Sequence, residues 1–144
     1  MLIRPISSEQ TYALRHAVLW PDKPIDFVKV DNDHEGYHFG AFLPITEQPE
    51  PAVGDDPVAV ISLFVTGPVA RFRKFATHPD WQGRGIGTAL LQHTIAEARQ
   101  RGATRIWCDA RLTAVAFYQR FGMAAEGDVF YKGPIAYAKF SVIL

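Results

Sequence analysis

One cysteine, no net charge and no long apolar run are the first features of this 144-residue chain. With Cys108 alone, no intramolecular disulfide can form, which fits a reducing compartment. Lys and Arg number 15, as do Asp and Glu. No global basic field is therefore available to hold nucleic acid or an anionic membrane, and neither partner is expected. No segment reaches the roughly 20 apolar residues of a membrane span. Met1-Leu2-Ile3-Arg4-Pro5 also lacks the apolar stretch of a signal peptide. A cytoplasmic location is the expectation, with no internal repeat, no low-complexity tract and no metal site.

What is present suits one domain over residues 1–144, since 48% hydrophobic residues can build a compact core. Leu2 to Ile6 reads as a strand, and Ser7 or Ser8 can cap a helix running to about Trp20. Ile25 to Val30 predicts a short second helix, and Asp31 to Gly36 is turn-rich. Tyr37 to Leu43 and Val58 to Val65 read as strands joined by a proline-rich loop from Pro44 to Pro57. Val69 to Ala76 predicts a strand with Arg71, Arg73 and Phe75 on one side and Phe72 and Lys74 on the other. A helix is expected from Gly85 to about Arg101, stopped by Gly102. Then follow a strand (Thr104 to Cys108), a helix (Thr113 to Phe121) and two closing strands (Met123 to Tyr131 and Ile135 to Ile143). The strand-helix-strand run from Val69 to Cys108 makes its two strands parallel. The fold class is α/β, a mixed and mostly antiparallel central sheet with helices on both faces. Cys108, in Arg105-Ile106-Trp107-Cys108-Asp109, reads as a buried strand residue rather than a nucleophile.

The segment Gln82-Gly83-Arg84-Gly85-Ile86-Gly87-Thr88 joins a strand to a helix. Glycines let backbone amides converge, and a helix start offers unpaired N–H donors with partial positive charge, so the loop suits a phosphate or pyrophosphate. A P-loop needs Gly-Lys-Ser/Thr, and no Lys follows these glycines. A dinucleotide fingerprint needs a third glycine that Thr88 and Leu90 do not supply, although Asp109 partly mimics its ribose-binding acid. The pattern Gln/Arg-x-x-Gly-x-Gly/Ala is matched by Gln82, Gly85 and Gly87.

That loop, after a strand and His78-Pro79, resembles motif A of the GCN5-related N-acetyltransferase (GNAT) superfamily. Ala114-x-x-Phe117-Tyr118, three residues, then Gly122-Met123 resembles its motif B, with Met123 where Phe is usual. The resemblance implies a GNAT-like acyl-CoA N-acyltransferase fold and an enzyme using acetyl-CoA as co-substrate. It implies direct acetyl transfer to a primary amine of a small molecule or peptide. It also implies that Gln82, Gly83, Arg84, Gly85, Ile86, Gly87 and Thr88 cradle the pyrophosphate. Phe75, Ala76 and Thr77 would meet the acetyl and pantetheine groups, and Ala114, Phe117 and Tyr118 would complete the cofactor site. Tyr118 is expected to be the general acid for the leaving thiolate, because its ordinary pKa of about 10 keeps it protonated at neutral pH.

Arg111 stands where such proteins often carry Asn, and Gly133-Pro134-Ile135 lacks a site histidine that short members often have. The general base is left open among His38, His78, Asp80 and Asp109, with His38 first and His78 read as a turn residue. Trp20, Phe27, Tyr37, Phe130 and Tyr131 are candidate acceptor-pocket residues. A non-catalytic acyl-CoA sensor and a dinucleotide-binding protein stay open as alternatives. A homodimer through an exposed strand edge is also compatible.

Overall fold

The computed structural model describes residues 1–45, 52–53 and 56–144. Ser7 starts its first helical segment. The Gln10 N–H donates to the Ser7 hydroxyl at 3.3 Å, and the Ser7 N–H donates to the Gln10 side chain at 2.9 Å. This reciprocal capping box is what a Ser-x-x-Gln spacing allows. The segment runs through a 3-10 turn (Glu9–Thr11), one α turn, α1 (Tyr12–Leu14), and a π turn (Arg15–Leu19). The predicted second helix is a shorter 3-10 turn, Ile25–Val28, and a further one forms at Asp33–Glu35 inside the turn-rich stretch.

The strands are β1 (Leu2–Ile6), β2 (Tyr37–Phe42), β3 (Pro44–Ile45), β4 (Ala52–Val53), β5 (Ala59–Thr66), β6 (Val69–Thr77), β7 (Arg105–Arg111), β8 (Ala124–Lys132) and β9 (Ile135–Ile143). Seven of them form one sheet in the order β1-β2-β5-β6-β7-β9-β8. Only β6 and β7 run parallel, as the crossover through α2 (Ile86–Gln100) requires. β3 and β4 pair as a small separate ribbon inside the stretch expected to be a loop, whose other residues, 46–51 and 54–55, lie outside the described ones. α3 (Val115–Gln119) follows a 3-10 turn at Leu112–Ala114. β7 extends three residues beyond the predicted Cys108, because its last residues still pair with β9, up to Arg111 opposite Tyr137.

The core divides between the two faces of the sheet. On one face, Ile86, Leu90, Leu91, Ile95 and Ala98 of α2 pack on Phe39, Ile61, Leu63, Phe72 and Ile106. This is the apolar stripe expected from the helical spacing, and each fully buried leucine there contributes about 1.5–3 kcal/mol. On the other face, Leu14 packs on Val60 and Ala76, flanked by Ile6, Val18 and Leu19. Among the described residues no helix is long and apolar enough to cross a membrane.

Two irregularities in β6 shape the centre of the molecule. Its pairing with β7 covers only Val69–Arg71 against Arg105–Trp107, and beyond that point the two strands are unpaired. Against β5, Val60 faces Ala76 and Ser62 faces Arg73, so Ile61 spans both Lys74 and Phe75. This is a β-bulge. Lys74 takes the left-handed conformation (φ 54°), the one non-glycine residue to do so among those described. The bulge reverses which face the following side chains occupy. Phe75 therefore joins Phe72, with ring centroids 6.2 Å apart, instead of Arg71 and Arg73 as strict alternation predicts.

Candidate active site

His78 organises the loop between β6 and α2. Its Nδ1 accepts the Asp80 N–H at 3.1 Å and so caps the 3-10 turn Pro79–Trp81. Gln82 then turns back, and its side-chain amide donates to the Thr77 carbonyl at 3.0 Å. Gly83 and Gly85 adopt φ of 74° and 79°, with nothing within 4 Å of where a Cβ would stand. Gly85 is the N-cap of α2, and no side chain caps the helix. The first intrahelical bond is Ala89 N–H to the Gly85 carbonyl. The Ile86, Gly87 and Thr88 amides are thus left at the positive end of a 15-residue helix, free for an anionic ligand.

These amides open onto a groove of ≈ 450 Å³. The groove brings together Phe75, Ala76, Thr77, Gln82, Gly83, Gly85, Ile86, Gly87, Thr88, Ala114, Phe117 and Tyr118. Of the residues expected at a cofactor site, only Arg84 does not border it; its guanidinium lies 4.7 Å from the centre of the Trp81 ring. Gly87 brings α2 close to β6, since a Cβ there would stand 3.4 Å from the Phe75 ring and 3.6 Å from the Thr77 hydroxyl. His78 donates its N–H to the Val58 carbonyl, so by antiparallel alternation the N–H and C=O of Thr77 point away from β5, toward the unpaired side of β6.

Tyr118 stands where this groove meets the gap between β6 and β7. Its ring packs against Phe117 at 5.3 Å and Phe72 at 5.8 Å. Burial pushes its pKa above the ordinary 10.0, the nearby Cys108 adds to the rise, and Arg111 opposes it. Tyr118, Phe75, Ala114 and Arg111 also line a narrow neck of ≈ 150 Å³ within the gap. Cys108 borders the neck but is 2% exposed, and burial, then Asp109, pushes its thiol up to about 12.

Beyond the neck lies a wider basin of ≈ 760 Å³ between the 20–32 segment and the β8–β9 turn. Trp20, Arg73, Lys74, Lys132 and Tyr137 border both neck and basin. Of the aromatic residues expected around the acceptor, Trp20 and Phe27 are there and meet edge to face at 5.1 Å. Tyr37 instead lies under Arg101, 3.4 Å from ring centre to guanidinium, and Tyr131 is exposed. Phe130 stacks on Tyr137 at 5.8 Å, so Tyr137 takes the inner position. Arg111, the departure from the usual Asn, ties the two walls together. It donates to the Leu19 carbonyl at 2.7 Å and to the Tyr137 hydroxyl at 3.2 Å. Arg71, Arg73, Lys74 and Arg84 lie close enough in sequence for a local basic patch, but the convergence of Arg73 and Lys74 with Lys132 and Tyr137 is not readable there because it depends on the bulge and the final hairpin.

His38, the first choice as general base, is elsewhere. It borders none of the three cavities and is 6% exposed. Its Nε2 donates to the Asp33 carbonyl at 2.8 Å. Ser62 Oγ accepts from Arg15 at 2.8 Å and donates to His38 Nδ1 at 2.7 Å. Both ring nitrogens are committed, and no lone pair is left for a substrate ammonium, so the geometry argues against His38 as the base. Asp109 borders the neck but is engaged by Arg71 at 3.0 Å and Lys132 at 3.5 Å. Asp80 is exposed beside His78.

The sequence model of the acetyltransferase (GNAT) family matches residues 7–123. The uncharacterized N-acetyltransferase YitI of Bacillus subtilis is 28% identical over 130 residues, 89% of this chain and 85% of its own length. A crystal structure of a proposed N-acetyltransferase from Lactobacillus plantarum superposes with a TM-score of 0.78 at 23% identity, over 100% of this chain and 99% of that one. A Bacillus subtilis acetyltransferase in complex with CoA superposes with a TM-score of 0.70 at 18% identity, over 99% of this chain and 97% of that one. At these identities the superpositions carry the fold: the mostly antiparallel seven-stranded sheet and its flanking helices are those of acyl-CoA N-acyltransferases.

Proposed function

The chain belongs to the acetyltransferase (GNAT) family and is an acyltransferase, and on that premise we propose that it transfers the acetyl group of acetyl-CoA directly to a primary amine of a small molecule or peptide. One observation carries the reading: the uncapped amides of α2 and the Tyr118 hydroxyl-bearing ring border one groove, which continues through the neck into a second basin. Such a passage lets two substrates approach from opposite sides of the sheet. The α2 amides and the partial charge of the helix suit the pyrophosphate. The outward N–H of Thr77's neighbourhood on β6 suits the pantetheine arm and, near Phe75, the thioester carbonyl.

In the reaction the amine nitrogen forms a bond to the acetyl carbon, the carbon–sulfur bond breaks, and the proton lost by nitrogen balances the thiolate as thiol. An ordinary thiol has a pKa of about 8.5. Tyr118, pushed above 10.0, stays protonated throughout the neutral range. Complete proton transfer from so weak an acid to a thiolate is uphill. Tyr118 therefore acts in the general-acid position chiefly by donating a hydrogen bond to the sulfur as charge builds there. No covalent enzyme intermediate is required, which leaves the buried Cys108 without a chemical role. With His38 engaged elsewhere, the acceptor either enters as the free amine or loses its proton through water, neither of which needs a dedicated base.

Calorimetry with acetyl-CoA, CoA and NAD tests the first half of this reading, and thiol release with an amine panel, followed by mass spectrometry of the product, tests the second. Binding of acetyl-CoA and CoA without NAD, with acetylated amine as product, is expected. NAD binding without acetyl-CoA would overturn the assignment of the groove. Tight acetyl-CoA binding with no turnover on any amine would replace the enzyme with a sensor.

A further inference from the structure

The basin beyond the neck is lined by Lys23, Lys29, Arg73, Lys74 and Lys132 and by one acid, Asp31. In a chain with equal numbers of basic and acidic residues, this is a local segregation of charge. The surrounding ion pairs neutralise only part of it. Lys29 is taken by Asp26 at 2.8 Å, and Lys132 shares Asp109 with Arg71. No ion pair among the described residues engages Arg73 or Lys74. Both lie at the point where β6 is bulged and its edge toward β7 is unpaired.

We infer that the acceptor is a small primary amine carrying an anionic group, a carboxylate or a phosphate, held in the basin by Arg73, Lys74 and Lys132 while its nitrogen reaches the neck beside Tyr118. The inference rests on the acetyltransferase reading and narrows its acceptor. Two observations favour it. Arg73, Lys74 and Lys132 border both neck and basin, so an anion held by them is one small molecule away from the reacting nitrogen. Burial, and then the charge of Arg73, push Lys74 down to about 8, while burial, and then Arg71, lower Arg73. An anion offsets the repulsion among these cations, whereas a polyamine or another polycation adds to it. Trp20, Phe27 and Tyr137 supply an apolar wall for the carbon skeleton between the two polar ends.

The test compares acceptors built on one short skeleton: an amine bearing a carboxylate, the same amine bearing a phosphate, its uncharged amide, and a linear polyamine. Initial rates are measured with wild type, Arg73→Gln and Lys74→Asn; asparagine tolerates the left-handed backbone and so keeps the bulge. The expected result is a kcat/KM for one of the anionic amines about tenfold or more above that for the amide, the value of one charge-assisted hydrogen bond. Each variant should lose that preference, its kcat/KM for the anionic amine falling to that for the amide. The ratio between the two anionic arms identifies the group. Separately, inorganic phosphate and a short dicarboxylate are titrated calorimetrically into the protein without CoA. Dicarboxylate binding should weaken about tenfold in Arg73→Gln and Lys74→Asn and persist in Gly85→Ala, whereas phosphate, which also suits the α2 amides, should show one component lost in the first two variants and a second weakened in Gly85→Ala. If the amide or polyamine is acetylated as well as the anionic amines, the inference falls and the acetyltransferase reading stands. If no acceptor releases thiol, that reading fails, and the anion titration still decides the basin: binding that the two variants leave unchanged overturns the inference.

Discussion

Arg15 meets Asp33 through two parallel contacts, Nη1 to Oδ2 and Nη2 to Oδ1, each 2.8 Å. Arg15 is fully buried, and its Nη1 also donates to the Val28 carbonyl at 3.1 Å. The pair fastens the first helical segment to the 28–33 stretch and, through Ser62 and His38, to two strands.

Asp33→Asn leaves the Arg15 charge buried without its counter-ion, and a loss of about 3–5 kcal/mol is expected. Burial alone raises the Asp33 pKa, but the Arg15 guanidinium and the Val30 N–H together hold it below the ordinary 3.8. The folded state therefore binds the Asp33 proton less readily than the unfolded chain does. Its stabilisation is complete above pH 3.8 and fades as pH falls toward the depressed folded value. Urea unfolding of wild type and variant from pH 7 to pH 3 should give curves whose separation is constant at first and narrows only at the acid end. A separation that shrinks near pH 6 would assign the effect to another group.

Tyr118→Phe removes one oxygen and keeps the packing on Phe72 and Phe117. Turnover should fall on the order of a hundredfold, with acetyl-CoA affinity within about threefold of wild type. Because the pKa is raised from 10.0, wild-type turnover should show no alkaline decline from Tyr118 up to pH 10. Unchanged turnover in the variant would remove the proton-donor role.

The glycine loop and the tyrosine were legible because each is a local pattern. Gln82, Gly85 and Gly87 lie within six residues, and Ala114, Phe117 and Tyr118 share a helical turn. The bulge was not legible, since Arg73-Lys74-Phe75 contains no glycine to mark a left-handed backbone. Strict alternation consequently assigns Phe75 to the face opposite the one it occupies. The engagement of His38 is not readable in sequence for a different reason: its partners, Ser62 and the Asp33 carbonyl, come from another strand and from a 3-10 turn within the turn-rich stretch. The strand extends beyond Cys108 through residues, Asp109 and Arg111, whose strand character rests on pairing with the distant Lys139 and Tyr137 and not on local pattern.

Gly85→Ala meets no steric obstacle, but its φ of 79° disfavours any side chain. A loss of about 1–2 kcal/mol is expected, together with weaker acetyl-CoA binding, while Gly85→Asn should retain more of both. Thermal unfolding and calorimetry on the two variants check the order. Equal behaviour of Ala and Asn would mean that the backbone conformation is not what matters there.

Cys108 should resist thiol reagents in the native protein. With its pKa pushed up to about 12, the thiolate fraction at pH 8 is on the order of one in ten thousand, and the side chain is 2% exposed. Labelling with a chromogenic disulfide should be slow until guanidinium unfolds the chain, and turnover should be insensitive to the reagent. Rapid native labelling with loss of activity would reopen a role for the thiol.

The bulge at Lys74 makes β6 behave as two short strands written in different reading frames. Before it, even-numbered residues face α2; after it, odd-numbered ones do, which puts Phe75 beside Phe72 and Thr77 beside Gly87. Chain length at this point is therefore under tighter control than side-chain identity. Replacing Lys74 alters one lining group, whereas deleting it would turn Phe75 outward, bring Ala76 under α2 and rotate the Thr77 carbonyl away from Gln82. Engineering of the basin is accordingly confined at position 74 to residues that accept a left-handed backbone, asparagine and glycine foremost, and must keep the count.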